Sequence, residues 1–481
     1  MKNMTLEHIA AVCGGTYIGN EADKTREIQG AVIDSRLVEK DYLFIPVRGE
    51  KVDGHSFIPS VFEKGALAVL SEEKLENPAG PYILVENTLD AMKKIAADYR
   101  RGLDIKVVGI TGSVGKTSTK EMIASVLAQK YNVLKTEGNL NNEIGLPLTI
   151  FKIREEHQVA VLEMGISEFG EMDRLSTMAN PDICVITNIG LCHLENLITR
   201  DGILKAKTES FAHLTPDGIA VLNGDDDKLC DKKVVNGKPA VFYGIEKAAK
   251  VAETEEGTKT LAEKTVYATN VEAVDLTGTK AAIHYPSKET GGEVTMEVTI
   301  PIAGEHNVYN ALAAIALCRD LGIDMEHIRA GLKKFTGTNR RFEKKGEIGG
   351  VTIIDDYAHH PQEIAATLEA AKNYPHKKLW CVFQPHTYTR TKAFLDQFAQ
   401  ALSAADEVVL ADIYAARETD TLGISSADIA ERIEKLGTKA HYFKSFDEIE
   451  TFLLENCMHG DLLITMGAGD IVKVGENLLG E

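Results

Sequence analysis

The run Gly109-Ile-Thr-Gly-Ser-Val-Gly-Lys-Thr-Ser-Thr119 holds the residue types that bind a nucleoside triphosphate. Its glycines let the backbone approach phosphate oxygens, and a helix start behind them favours negative charge. Lys116 can reach the terminal phosphates, the Thr117 hydroxyl can sit on magnesium, and Gly112, Ser113, Gly115 and Ser118 complete the cradle. The usual spacing of such a loop puts a glycine at position 110, where this chain has Ile110. A glycine-rich turn without a ligand is the plain alternative, but packing alone gives no reason for Gly-Lys-Thr at a helix start. Glu163 closes an apolar run, and a carboxylate at the C-terminal end of a parallel strand beside this loop is placed to hold the metal. An isolated glutamate is more often a solvated or capping residue, so its weight comes from sharing a sheet with Lys116. His193 and Lys207 follow the next strand and read equally as ligand and charge clamp or as loop residues.

These groups need a strand to end and a helix to begin at one point, and the hydrophobic pattern supplies both. Ile105, Val107, Val108 and Ile110 form a strand-like run, and Met122, Ile123, Val126 and Leu127 recur at helical spacing behind the loop. Apolar runs at 159–162, 183–187 and 219–222, separated by helical stretches, predict a parallel sheet covered on both faces. Before it, strand-like pieces at 42–47, 66–70 and 82–85 and a helix at 89–99 predict a small α/β domain over residues 1–103. The central domain spans 104–336, and alternation over about 230–303 predicts antiparallel strands added to its sheet. A helix at 309–321 and a linker at 337–342 follow. Strands near 351–354, 379–383, 408–410 and 462–465 predict a second parallel unit, Rossmann-like, over 337–481. The fold class is α/β in three domains, with a central phosphate-loop ATPase domain on a parallel sheet.

A chain of 481 residues exceeds one ordinary core. Its net charge of -19, from 53 basic and 72 acidic residues without a basic block, argues against a nucleic-acid partner. Cys13, Cys184, Cys192, Cys230, Cys318, Cys381 and Cys457 are scattered without paired metal spacing, so reduced thiols are expected. The sequence opens without an apolar signal core, and no segment is apolar enough to span a bilayer. The expectation is a cytoplasmic protein with no membrane insertion, and a monomer.

Taken together, these residues resemble the Mur ligase family, ATP-dependent enzymes that add amino acids or dipeptides to UDP-N-acetylmuramoyl chains in peptidoglycan synthesis. Besides the phosphate loop, the matching segments are Asp34-Ser-Arg36, Asp53-Gly-His55, Gly138-Asn-Leu-Asn-Asn-Glu-Ile-Gly145, Glu163-Met-Gly165, Thr187-Asn-Ile-Gly190 and His306-Asn-Val-Tyr-Asn310. The family's loop has the same glycine spacing as this one. The resemblance implies ATP and Mg2+, with Lys116 and Thr117 on the β- and γ-phosphates and the first magnesium, and Glu163 as a metal ligand. It implies His193 on a second magnesium and Lys207 as a carbamylated lysine, whose carbamate offers the anionic oxygen that an ammonium lacks. Asn307 and Asn310 would meet the adenine, and Arg340 and Asp356 would contact phosphate and ribose. The γ-phosphate would pass to a substrate carboxylate, and an incoming amine would attack the acyl phosphate. Such chemistry needs charge neutralisation and exclusion of water more than a strong base.

The resemblance is divided along the chain. Residues 1–103, with Ser35, Asp53 and His55, are similar to members that accept longer UDP-muramoyl peptides. The central segments, Asn142 among them, are similar to members that add D-alanyl-D-alanine. Asp355-Asp-Tyr-Ala-His-His-Pro361, Gln384-Pro-His-Thr-Tyr-Thr-Arg390 and Asp412-Ile-Tyr-Ala-Ala-Arg-Glu418 are instead similar to members that add L-alanine. There Tyr357, His359, His386 and Arg390 would grip the carboxylate of the incoming amine, arginine as a bidentate clamp. The expected reaction adds D-alanyl-D-alanine to a UDP-N-acetylmuramoyl tripeptide. The alternatives are a single amino acid such as L-alanine, or a catalytically silent nucleotide-binding regulator.

Overall fold

Strand Lys106–Thr111 is buried from Val107 onward, and its neighbours Val107 and Val108 belong to apolar clusters on opposite faces of one sheet. A strand covered on both faces belongs in the middle of a parallel sheet, and here it does. The computed structural model describes residues 1–480 except 50–51, 191–193, 248–264, 275–277, 288–290, 303, 336, 339, 373 and 417. Nine strands run in the order Glu293–Ile300, Gly278–Pro286, Val266–Val274, Val241–Ile245, Ile219–Asn223, Ile183–Ile186, Lys106–Thr111, Val159–Glu163, Val133–Lys135. Pairing is parallel from Val133–Lys135 to Val266–Val274 and antiparallel only across Val266–Val274, Gly278–Pro286 and Glu293–Ile300. The antiparallel reading of 230–303 therefore fails at Val241–Ile245, which lies parallel to Ile219–Asn223. Its Phe242 and Tyr243 are both buried, so no polar face was present to signal its place or direction.

A five-stranded sheet precedes it, ordered Thr16–Ile18, Tyr82–Leu84, Ala68–Ser71, Tyr42–Phe44, Gly30–Val32, with only the first pair antiparallel. One apolar core joins it to the central sheet, running from Met4, Leu6 and Ile95 to Leu146, Phe151 and Leu162. Helix Thr88–Arg101 makes the junction: buried Arg100 donates to Ala179 O (3.0 Å) and Asn180 O (3.1 Å), and Tyr99 OH donates to Ile153 O (2.6 Å). That shared core makes Met1–Phe335 one compact unit, and Thr336–Glu481 is the other.

The second unit has six strands in the order Glu343–Ile348, Val351–Asp356, Leu462–Met466, Leu379–Phe383, Glu407–Leu410, Lys439–Tyr442. All pairs but the first are parallel. The last strand of the chain sits between the second and third in sequence, which creates the switch point where such sheets bind ligands. The expected linker at 337–342 is folded onto this unit, since Arg340 O accepts from Tyr357 N (2.7 Å) and the Phe342 ring meets Tyr374 at 5.0 Å. The α/β parallel-sheet architecture is as expected. No described helix is long and apolar enough to cross a membrane. All of the described cysteines but Cys457 are buried.

Candidate active site

Helix Lys116–Leu127 begins at Gly115, whose φ of 85° is left-handed, and no side chain caps its first turn. The N–H groups of Lys116, Thr117 and Ser118 are thus left for an anion. The loop before them is held by the turn that follows Ile183–Ile186. Ser113 N donates to Asn188 O (3.1 Å), Val114 N to Asn188 Oδ1 (3.0 Å), and Thr187 Oγ1 to Val114 O (2.7 Å). A Cβ on Gly112, at φ 146°, would stand 1.9 Å from Thr187 Oγ1, so the position needs glycine. Lys116 Nζ folds back onto Gly112 O (3.0 Å) and Ser113 O (3.2 Å). The Ser113 hydroxyl is engaged with Gly190 (2.8 Å), so Ser113 shapes the loop. Asn188 and Thr187 lay inside a segment singled out in the sequence, but their part in bracing the loop was not foreseen.

Glu163 ends its strand 1% exposed. Its Oε1 accepts from Thr117 Oγ1 (3.2 Å) and Asn141 Nδ2 (2.8 Å), while Oε2 is buried without a hydrogen-bond partner. Lys120 Nζ lies 3.7 Å from Oε2 and donates to Thr136 O (2.7 Å) from a fully buried side chain. Thr136 Oγ1 in turn accepts from Glu163 N (2.9 Å). A carboxylate with one oxygen outside any hydrogen bond, beside a hydroxyl and an uncapped helix start, fits a hard divalent cation that shares its coordination with phosphate. No three His, Cys, Asp or Glu side chains cluster as a metal cage among the described residues. Lys207 is buried on helix Arg200–Thr208, and its Nζ donates to Gly112 O (3.1 Å). His193 lies outside the described residues.

Other expected residues are engaged within their own neighbourhoods. Asn310 accepts from Thr119 Oγ1 (2.9 Å) and donates to Asn307 Oδ1 (3.1 Å); both asparagines are buried, and Asn310 lies directly behind Gly115. Asn142 Oδ1 accepts from Ile144 N (3.1 Å) and Gly145 N (2.9 Å), bracing the start of the next helix, and it is Asn141 that reaches Glu163. His55 is used at both ring nitrogens, Nδ1 toward Asp53 Oδ1 (2.7 Å) and Nε2 accepting from Glu72 N (3.2 Å). Asp53 is the more open of that pair, at 48% side-chain exposure. Ser35 O accepts from Lys64 Nζ (2.7 Å) beside Asp34, whose carboxyl the Arg36 hydrogen bond pulls down to about 2.

In the second unit the Arg340 guanidinium is shared among Asp355 Oδ2 (2.8 Å), Gly469 O (2.8 Å) and Gly467 O (2.7 Å). Asp356 accepts from Phe342 N (2.7 Å) and Ala358 N (2.8 Å), and burial raises its carboxyl to about 6. Arg340 and Asp356 thus brace one another's strand ends, with Tyr357 under the Arg340 cation at 5.1 Å. The loop after Leu379–Phe383 and the helix Tyr388–Ala393 that follows it carry three buried polar atoms that have no hydrogen-bond partner, Gln384 Oε1, His386 Nδ1 and Arg390 Nη1. His359 approaches His386 at 6.1 Å between ring centroids, and Tyr414 stacks on His386 at 5.6 Å. Gln384 and Tyr414 had no place in the sequence-based site, because a polar residue after a strand looks like any loop residue.

Burial first, then the charges of Arg390 and His359, depress the His386 imidazole to about 4, so it is neutral at pH 7. In the unfolded chain it would take its proton near 6.5. The unfolded state therefore binds more protons between those values, and the stabilising difference present above pH 6.5 is lost as pH falls toward 4. His386→Phe, which keeps a ring on Tyr414, is expected to flatten the fall of unfolding temperature across that window. Equal slopes in the two proteins would show that His386 does not titrate in this way.

With this geometry, residues 110–318 match the Mur ligase middle domain, 340–469 the Mur ligase glutamate ligase domain, and 27–100 the Mur ligase family catalytic domain. The chain is 43% identical over 373 residues to a UDP-N-acetylmuramate–L-alanine ligase of Lachnospira eligens, covering 77% of this chain and 75% of that one. It is 38% identical over 381 residues to a UDP-N-acetylmuramoyl-tripeptide–D-alanyl-D-alanine ligase of Bacillus subtilis, covering 78% and 76%. Among solved structures, MurF from Acinetobacter baumannii superposes with a TM-score of 0.79 at 26% identity over 99% of both chains. The chain belongs to the Mur ligase family, the ATP-dependent amide-forming ligases of peptidoglycan precursor synthesis.

Proposed function

We propose that this chain joins D-alanyl-D-alanine to a UDP-N-acetylmuramoyl tripeptide at the expense of ATP. The likeness to a MurF structure along almost all of both chains carries this reading, because it takes in the five-stranded sheet as well as the catalytic sheet. Residues 1–103 then take the UDP-muramoyl substrate, 104–336 the ATP, and 337–481 the amine.

Lys116 and the first-turn amides would hold the phosphates, and Thr117 and Glu163 would hold Mg2+, which would supply charge neutralisation. Lys207 acts as a carbamate beside them. The acceptor's carboxylate attacks the γ-phosphorus and releases ADP; the amine then attacks the acyl phosphate carbon and phosphate leaves. No strong base is needed for the first step, and the buried setting of Glu163 keeps its charge effective. The unpartnered atoms on His386 and Arg390 support capture of the amine's carboxylate.

A second reading, transfer of L-alanine alone, is favoured by the 43% identity to an enzyme named for that reaction. Phosphate release over a panel of acceptors and amines decides between them. Turnover is expected with the tripeptide and D-alanyl-D-alanine; turnover with L-alanine and none with the dipeptide would replace the first reading by the second.

A further inference from the structure

Gln384 is 5% exposed, and its two amide ends have different fates. Nε2 donates to Asp470 Oδ1 at 3.0 Å, whereas Oε1 is buried with no partner. A carboxylate can only accept, so Asp470 fixes which way the amide faces and turns the carbonyl away from itself. Such an acceptor left without a donor costs free energy unless something else supplies one. The backbone makes room for it: a Cβ on Gly469 would fall 2.2 Å from Oε1 and 2.8 Å from the Tyr414 ring. Tyr414 is 38% exposed, and its ring also stacks on His386. The Tyr414 backbone is pinned, its N donating to Pro385 O (2.8 Å) and its O accepting from Thr387 N (2.9 Å). Movement of Tyr414 relative to the loop is therefore confined to its side chain.

We propose that Gln384 Oε1, aimed by Asp470 beside Tyr414, binds the ammonium end of the incoming amine while Arg390 and His386 take its carboxylate. This rests on the reading of the second unit as the amine site. An unpartnered carbonyl acceptor on Gln384 and unpartnered nitrogens on His386 and Arg390, gathered within seven residues, complement a zwitterion. Gln384 reads the amino group and takes no proton: its carbonyl accepts from N–H both before and after the ammonium is deprotonated, so it is a specificity residue. Asp470 acts through Gln384 and is a positioning residue.

The test uses the full-length enzyme with Mg2+ and ADP, and measures binding of D-alanyl-D-alanine, L-alanine and their N-acetylated forms by ligand-observed NMR. The wild type is expected to prefer the amine that it uses over the corresponding N-acetyl form by about tenfold or more, because a site built for a polar group rejects the analogue lacking it. Gln384→Met, close in size and without an acceptor oxygen, should abolish that preference at unchanged ATP KM. Asp470→Asn, which frees the amide to turn over, should weaken it by about threefold. A preference kept within twofold in Gln384→Met overturns the assignment, as does a wild type that binds neither form or binds both alike. Should Gln384→Met not fold, an unaltered preference in Asp470→Asn overturns it instead. A wild type that prefers the free amine yet releases no phosphate with any acceptor would sink the proposed reaction and leave this assignment standing.

Discussion

Glu163→Gln is expected to lower turnover by about 10²- to 10³-fold, the size of effect seen when one preorganised electrostatic group is removed from a reacting centre. The substitution keeps the shape of the side chain. It can also keep the Oε1 contacts with Thr117 and Asn141, so the loop and its helix should remain in place. What it removes is the negative charge on a buried carboxylate whose second oxygen has no hydrogen-bond partner. The replacement amide would also point a donor toward Lys120 Nζ, 3.7 Å away in the native chain, where two donors cannot satisfy each other. The magnesium concentration needed for half-maximal phosphate release should therefore rise steeply. The KM for ATP should move much less, since Lys116 and the uncapped first turn are untouched. An unchanged unfolding temperature would separate this loss from misfolding. Wild-type turnover at low magnesium would remove Glu163 from the metal site.

The contrast between Glu163 and its neighbours shows what the sequence could and could not say. A carboxylate after four apolar residues announces the end of a buried strand, and Gly-Lys-Thr after another announces a loop and helix, so both positions were legible from period and composition. Asn141 and Asn142 stand side by side in one loop, and no periodicity distinguishes the one that reaches Glu163 from the one that braces a helix. That choice depends on the turn geometry. Lys120 was hidden for a similar reason: four residues beyond Lys116 it looks like another charge on the helix, yet it is fully buried against Thr136 and Glu163. Arg340 and His55 were recognisable as functional residue types, but their internal partners, Asp355 and two glycine carbonyls for one, Asp53 and Glu72 N for the other, come from distant or folded-back segments. The strands were visible because each buries a continuous apolar run. Their order was not, because insertion of Leu462–Met466 between Val351–Asp356 and Leu379–Phe383 is a tertiary choice.

Lys207 admits a decisive comparison, because the two roles open to it respond oppositely to one substitution. As a plain ammonium it would act by positive charge, holding Gly112 O and attracting phosphate; arginine would keep that charge and most of the activity. As a carbamate it would act by negative charge on an oxygen that a hard cation accepts, and arginine could not replace it. The observed hydrogen bond is compatible with carbamylation, since the nitrogen of a carbamate keeps one N–H and can still donate to Gly112 O. The side chain is 1% exposed, which shelters a labile adduct from bulk water. We therefore expect Lys207→Ala and Lys207→Arg to lose turnover alike, by about 10²-fold or more, as loss of a group bearing on transferred phosphate does. We also expect wild-type activity to fall in buffer stripped of carbon dioxide and to return on addition of bicarbonate. An active Lys207→Arg with no response to bicarbonate would assign Lys207 to the phosphates and leave Thr117 and Glu163 as the metal's protein ligands among the described residues.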